Sequence, residues 1–213
     1  MSFKIDLHNE RKSYDKHILS EECVLKNPFE QFALWYKEAT DEAKIIEPNV
    51  MTLATATVQA KPSVRIVLLK EFSPNGFVFY TNYNSKKGKE LAQNPQASLL
   101  FFWDVLERQV RIEGVVKKID AAKSTEYFNS RPIESRIGAI ASPQSEVIAT
   151  REVMDKKITD VEFDNNIERP EHWGGYILVA DYFEFWQGRP NRVHDRLVFS
   201  KKGNNWNLCR LAP

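Results

Sequence analysis

The stretch MTLATATVQAKPSVRIVLLKEFSPNGFVFYTN, residues 51–82, carries the pattern that decides the fold. It is dense in β-branched and aromatic side chains, which suit a pleated, half-buried surface better than a helix. MTLATATV (51–58), SVRIVLLKEF (63–72) and FVFYTN (77–82) each read as a strand. Pro74-Asn75-Gly76 is a turn signal, so 63–72 and 77–82 are expected to form a hairpin. Between Arg65 and Lys70 every residue is apolar, which predicts a strand buried on both faces. Alternation sends Arg65 and Lys70 to opposite faces. Such charges are either the solvated ends of a buried strand or contacts to two different anions.

Outward from this stretch the same signal continues. ASLLFFW (97–103) and RQVRIEGVVKKI (108–119) are further strands, and a short helix over 85–94 stands between strands, before Asn94-Pro95. Upstream, 27–44 is predicted helical, with Asn27 as N-cap, Pro28 in the first turn and Glu30 closing a capping box. Phe29, Phe32, Tyr36, Ala39 and Ala43 share one face of it as core. Downstream, helices are expected at 120–131, 133–141 and 150–160, a loop at 163–172, and strands at 174–186, 193–201 and 205–211. Many antiparallel strands with few helices predict a mainly β fold with peripheral helices (α+β), a barrel rather than a βαβ fold. Residues 1–25 are polar and expected to be a flexible N-terminal arm, frayed or ordered over something; 26–213 form one domain.

The chain of 213 residues has 30 basic and 29 acidic side chains, a net charge of +1. That balance provides no global field for nucleic acid or membrane, so any anion site must come from local clustering. Cys23 and Cys209 show no metal or disulfide-framework spacing. No apolar run has the length of a membrane span and the first residues have no apolar signal core, so a cytoplasmic protein is expected.

Four clusters carry possible chemistry. Ser85 caps a helix whose first turn holds Lys86 and Lys87, against the helix dipole; an anion there would reconcile them, and solvated surface lysines are the alternative. Gln109, Arg111 and Glu113 share one strand face, Val110 and Ile112 the other; the polar face is either solvated or holds an amide able to donate and accept. Tyr127 and Arg131 lie four apart at a helix end, suited to a phosphorylated ring or simply a surface pair. In FWQGRPNRVHDR, 185–196, alternation would place Arg192, His194 and Arg196 on one face, where three cations repel unless an anion intervenes. No hydrolytic triad, metal cluster or Walker loop is present, so the hard chemistry is expected to belong to a cofactor.

Together RIVLLK, FVFYTNYNSKKGKEL, NPQASLLFFW, LERQVRIEGVV, YFNSRPIESRIGA, SPQS, WGGY, EFWQGRPNRVHDRL and RLAP resemble the pyridoxamine 5'-phosphate oxidase family from about residue 30 to the end. The resemblance implies an FMN-binding split β-barrel working as a homodimer, with sites at the subunit interface. It implies that Arg65, Ile66, Val67, Leu68, Leu69, Lys70, Tyr80, Thr81, Lys86, Lys87, Gln109, Gln144, Ser145, Trp186 and Arg196 contact FMN. Lys70, Tyr127, Arg131 and Ser135 would meet the substrate phosphate. Arg192, Val193 and His194 would face the substrate ring, with Arg192 and His194 in the catalytic roles. Arg11 and Tyr14 match positions where an arm covers the site. Two departures stand out: Lys86 where many members have Arg, and RKSY where RREY-like sequences are familiar. The implied activity is oxidation of pyridoxamine or pyridoxine 5'-phosphate to pyridoxal 5'-phosphate by dioxygen, releasing hydrogen peroxide. The rivals are another split-barrel flavoenzyme, such as a phenazine-pathway oxidase or flavin reductase, and a non-catalytic flavin- or vitamer-binding protein.

Overall fold

A computed structural model describes His8 and residues 12–164 and 166–213. In chain order the elements are α1 (Pro28–Lys37), β1 (Val50–Ala56), β2 (Pro62–Leu68), β3 (Glu71–Ser73), β4 (Gly76–Asn82), α2 (Lys86–Gln93) and β5 (Gln96–Trp103). They continue with β6 (Arg108–Lys118), α3 (Ala121–Ser130), α4 (Ile133–Ala141), α5 (Arg151–Asp164), β7 (Trp173–Gln187), β8 (Asp195–Lys202) and β9 (Asn205–Arg210). The expected mainly β class with peripheral helices is what forms. The chain divides into two compact units, one of residues up to Pro48 with Phe102–Arg111 and Tyr182–Pro213, the other of Asn49–Phe101 and Ile112–Asp181.

The second unit is built on strands in the order β2-β1-β5-β6-β7-β4-β3. β1 pairs antiparallel with both β2 and β5, and β4 pairs antiparallel with β3 and β7. Its core is Met51, Leu53, Phe77, Phe79, Leu99, Phe101, Ile112, Phe128 and Leu178, all at or near zero exposure. Burial of this apolar area is the main force holding the strands in register.

Two expectations about residues 63–72 need correction. β2 is not buried on both faces: Val64 and Ile66 are 68% and 61% exposed, and Leu68 is exposed too. β2 is an edge strand whose exposure alternates, with Ser63, Arg65 and Val67 partly covered and Val64, Ile66 and Leu68 exposed. Nor does 63–72 form one arm of a hairpin. β2 stops at Leu68, Lys70 N–H donates to Val78 O at 2.9 Å, and only Glu71–Ser73 pairs with β4. The turn at Pro74-Asn75 is as expected, with Gly76 at φ +140°, where an added Cβ would lie 2.2 Å from Leu178 O. The break at Leu69-Lys70 moves the chain from the partner strand β1 to the partner strand β4.

In the first unit, Asn27 caps α1 by accepting from Phe29 N–H at 2.9 Å. The predicted helix to 44 is shorter: α1 ends at Lys37 and Glu38–Glu42 is a π-helical turn. Phe32 and Ala39 are buried as expected, and so is Trp35, which packs edge-on to Phe185 at 5.2 Å. The end of β7 from Tyr182 pairs antiparallel with β8, and β8 with β9. β8 begins at Asp195, not 193, because Pro190–Arg192 forms a 3-10 turn and Val193-His194 lies outside the strand. Residues 12–25, expected to be flexible, carry Leu19 and Val24 as buried side chains of this unit.

Candidate functional site

The second unit contains a cavity of about 470 Å³. Its floor comes from Ile66, Val67 and Leu68 of β2 and from Lys70 after the break; Tyr80, Thr81 and Asn82 of β4 form a wall. Lys87 of α2, Tyr127 of α3, Arg131, Ser135 of α4, Gln144 and Trp173 close it. The structure therefore brings together eleven of the residues singled out in the sequence, counting Ile66, Val67, Leu68, Lys70, Tyr80, Thr81, Lys87, Tyr127, Arg131, Ser135 and Gln144.

Lys87 and Lys86 part company here. Ser85 Oγ accepts from Gly88 N–H at 3.3 Å and starts α2. An added Cβ on Gly88 would lie 2.1 Å from Tyr83 O, so glycine alone allows the helix start to pack this closely. Lys87, 9% exposed, donates to Thr81 Oγ1 at 3.1 Å and to Gln144 Oε1 at 3.2 Å. Both acceptors are neutral, and no carboxylate among the described residues pairs with it. Burial, then repulsion from Arg65, lowers its pKa. Lys86 is turned outward, 61% exposed and 4.0 Å from Glu90 Oε1. It lies with Ser145 at a neighbouring opening.

Arg131 forms a second cationic seat. Its guanidinium lies 4.8 Å from the Trp173 ring centroid, and its Nη1 is buried with no hydrogen-bond partner among the described residues. Burial lowers its pKa, against a raising effect of Tyr127. Tyr127 stacks on Tyr80 at 3.9 Å, and Lys70 Nζ lies 6.0 Å from the Tyr127 ring. Burial pushes the Tyr80 phenol up to about 12, so it stays a neutral donor. A buried cation without a counter-ion and a buried donor without an acceptor are costly unless an anion completes them. The cavity thus suits two anionic groups, one at Lys87 and one at Arg131.

Arg65 does not line this cavity. Its Nη1 donates to Leu53 O and Thr55 Oγ1, and its Nη2 to Ser63 Oγ and Glu90 Oε2 at 2.6 and 3.1 Å. Glu90, 5% exposed, also accepts from Thr55 and Ser63. Burial raises the Glu90 carboxyl, but bonds from Ser63, Thr55 and Arg65 outweigh it and hold the pKa below the ordinary value. Glu90→Ala would leave Arg65 half-buried without its counter-ion. It is expected to destabilise the fold by about 3 kcal/mol, read as a lower midpoint in urea. Leu69 is buried in the core and contributes no side chain to the cavity.

The first unit carries its own cavity of about 760 Å³, lined by Lys12, Ser13, Tyr14, Arg189, Asn191, Arg192 and His194. None of the described lining residues is acidic. Trp186 packs 4.5 Å from the His194 ring, and Tyr14 meets Trp186 edge-on at 5.9 Å. His194 Nδ1 accepts from Arg189 N–H at 3.1 Å, which puts the neutral ring's proton on Nε2. Burial, then Arg192, lowers its pKa, favouring that neutral form.

The expected row of three cations does not form. Arg196 pairs with Glu184 Oε1 at 2.7 Å and with Ala212 O, while Arg192 sits on the 3-10 turn at φ +62°. Val193 is exposed and does not line the cavity. Gln109 is half-buried on β6, with Val110 and Ile112 on the buried face as expected. Arg11 lies outside the described residues. Sequence reasoning missed Asn82, Trp173, Lys12 and Arg189 as lining residues. Trp173 opens WGGY, and Arg189 lies inside the basic run, so both had a visible signal.

Comparison with known proteins adds a separate line. Residues 37–165 match the family model described as pyridoxamine 5'-phosphate oxidase. Residues 173–213 match the pyridoxine 5'-phosphate oxidase C-terminal dimerisation region. The chain is 52% identical to a pyridoxine/pyridoxamine 5'-phosphate oxidase of Cyanothece sp. (strain PCC 7425), covering 98% of this chain and 99% of that one. It is 53% identical to the protein of that name from Bordetella avium, over 95% and 97% of the two chains. Among solved structures, PhzG from Burkholderia lata 383, in complex with tetrahydrophenazine-1-carboxylic acid, superposes with a TM-score of 0.87 at 27% identity, covering 94% and 100%. A pyridoxamine 5'-phosphate oxidase-related, FMN binding protein from Nostoc punctiforme shares the fold, with a TM-score of 0.69 at 14% identity, covering 88% and 98%.

Proposed function

The chain belongs to the pyridoxamine 5'-phosphate oxidase family, and from that premise we propose that it is an FMN-dependent oxidase making pyridoxal 5'-phosphate. Its substrates are pyridoxamine 5'-phosphate and pyridoxine 5'-phosphate, with dioxygen as the electron acceptor and hydrogen peroxide as the reduced product. The observation that carries this assignment is the pair of cationic seats, at Lys87 and at Arg131, in one cavity. A flavin mononucleotide and a phosphorylated vitamer each bring one phosphate.

The residues fit the cofactor. Lys87 and the Thr81 hydroxyl would donate to its phosphate beside Gln144, whose Oε1 accepts from both, and Ile66 and Leu68 offer an open apolar floor to a flat ring. When bound, FMN supplies hydride acceptance and reoxidation by dioxygen. The protein's own share is binding and orientation. Arg131, Tyr127, Ser135 and Lys70 would hold the substrate phosphate, with the guanidinium as its strongest donor. Arg192 orients the substrate ring and offsets charge that develops on it. His194, neutral with its proton on Nε2, donates a hydrogen bond to a ring substituent or the phosphate.

The protein acts as a homodimer with sites at the subunit interface. The match to a dimerisation region and the open apolar face of β2 support this. The contacts of Gln109, Trp186 and Arg196 with the flavin rest on the resemblance alone. No helix among the described residues is long and apolar enough to cross a membrane, in keeping with a cytoplasmic enzyme.

A phenazine-pathway oxidase or a flavin reductase would need the Lys87 seat but not a second phosphate seat at Arg131. A non-catalytic binder would have both and turn nothing over. Purified, flavin-loaded protein given pyridoxamine 5'-phosphate is expected to form pyridoxal 5'-phosphate and peroxide in equal amounts, followed by absorbance and a coupled peroxidase assay. Absence of both products would overturn the assignment.

A further inference from the structure

Glu107 is a buried carboxylate outside the two cavities. It follows the 3-10 turn Asp104–Leu106, has φ +54° and is 1% exposed. A carboxylate so placed needs donors. Among the described residues two reach it, both from the N-terminal segment: Asp15 N–H at 3.0 Å and Lys16 N–H at 3.2 Å, on the same oxygen, Oε2. No lysine or arginine among the described residues pairs with it. Its backbone carbonyl accepts from Gly188 N–H at 2.8 Å and Gln187 Nε2 at 3.2 Å. One residue thus ties the arm to the turn that precedes Arg192.

The residue just before the two donors is Tyr14. Its ring lies 5.9 Å from Trp186 and 6.0 Å from His194. Below it is Gly188, where an added Cβ would stand 2.7 Å from Tyr14 Cβ. The close seat exists because residue 188 has no side chain. Downstream contacts keep the arm on course: Lys16 Nζ to Val105 O at 2.6 Å, Arg189 Nη1 to His17 O at 3.2 Å, and Leu19 N–H to Asp195 Oδ2 at 3.1 Å. With the arm there, Lys12, Ser13 and Tyr14 become one wall of the cavity that holds Arg192 and His194.

We propose that Glu107 is a positioning residue for substrate binding: its carboxylate caps the arm's backbone and, with Gly188, holds Tyr14 against Trp186 and His194 to wall the Arg192 cavity. The proposal rests on the reading that Arg192 and His194 face the substrate ring. Glu107 itself touches no substrate. It acts through Tyr14, so its effect must vanish when Tyr14 has already gone.

The test uses flavin-loaded, full-length protein with pyridoxamine 5'-phosphate. Glu107→Ala is expected to raise KM about tenfold, as for loss of a charge-assisted contact, while kcat and flavin retention stay near wild type. Glu107→Gln is expected to restore most of the affinity, because a single oxygen accepts both N–H groups. Tyr14→Ala should raise KM similarly, and the Tyr14→Ala/Glu107→Ala double variant no further than the larger single change. Effects on KM that multiply in the double variant would overturn the proposal, since Glu107 would then act independently of Tyr14. If Glu107→Ala does not fold, Glu107→Asp carries the same comparison, because the shorter side chain withdraws the carboxylate from Asp15 and Lys16 N–H. Trypsin cleavage after Lys16 gives a readout independent of turnover. It should quicken in Glu107→Ala and not in Glu107→Gln, and equal rates in all three proteins would overturn the proposal. Should the wild type oxidise no vitamer, the functional assignment fails while this cleavage still reports whether Glu107 holds the arm.

Discussion

Arg192→Ala is expected to lower the rate of pyridoxamine 5'-phosphate oxidation by about 10²- to 10³-fold, the usual effect of removing one donor that offsets charge in a transition state. The basis is a contrast among three arginines of one short segment. Arg189 Nε lies 3.5 Å from Asp195, and Arg196 is bonded to Glu184 at 2.7 Å. Arg192 has no acidic partner among the described residues, lines the cavity, and is exposed. It follows Asn191 at φ +58° and is itself at φ +62°. Two successive non-glycine residues in the left-handed region are unfavourable, and such strain tends to persist where it aims a side chain. Removing the guanidinium breaks no ion pair, so thermal stability should hold and flavin should stay bound. Arg192→Lys should recover only part of the rate, because an ammonium offers charge without the planar fork. Steady-state turnover with the flavin absorbance recorded on the same samples checks this. Wild-type-like turnover in Arg192→Ala would remove Arg192 from the catalytic role.

The elements were more legible than the partnerships. α2 and its cap at Ser85 follow from local chemistry, since an N-cap acts within three residues of itself. The turn at Pro74-Asn75-Gly76 was visible for the same reason. The break at Leu69-Lys70 was not, because the hydrophobic run RIVLLK continues through it. What ends β2 is a change of partner from β1 to β4, which is a tertiary event. Exposure of Val64, Ile66 and Leu68 was hidden likewise: a period-2 pattern with apolar residues on both faces cannot say whether a neighbour covers each.

Charges show the same limit. The basic run 185–196 was recognisable as a cluster, yet spacing could not tell which cation already had a partner. Glu184, two residues before Trp186, neutralises Arg196 across the β7–β8 pair. That register is set by long-range pairing. The arm was harder still. Nothing in LERQ marks Glu107 as the acceptor for residues 92 and 91 positions away. The substrates proposed above rest on the family resemblance and on the names of the relatives, with the geometry supplying only the number and sign of the charged seats.

Lys86 and Lys87 stand side by side in the sequence, and their replacement is expected to give sharply different results. Lys87→Ala should weaken FMN binding about 10- to 100-fold, the range for losing one or two hydrogen bonds from a charged donor. Lys87 is buried in the cavity wall, its present acceptors are the neutral oxygens of Thr81 and Gln144, and a phosphate there would be its first anionic partner. Lys86→Ala should change FMN affinity less than about threefold, because an exposed ammonium 4.0 Å from Glu90 contributes little in high dielectric. Helix geometry explains the division: adjacent residues are about 100° apart around the axis, so one lysine faces the cavity and its neighbour cannot. Salt separates them further. The residual contribution of Lys86 should fade at high ionic strength, whereas that of Lys87, being shielded from solvent, should persist. Flavin titration by fluorescence quenching at low and high salt measures both. Equal losses in the two variants would place the phosphate outside the cavity, at the open face of the α2 N-terminus.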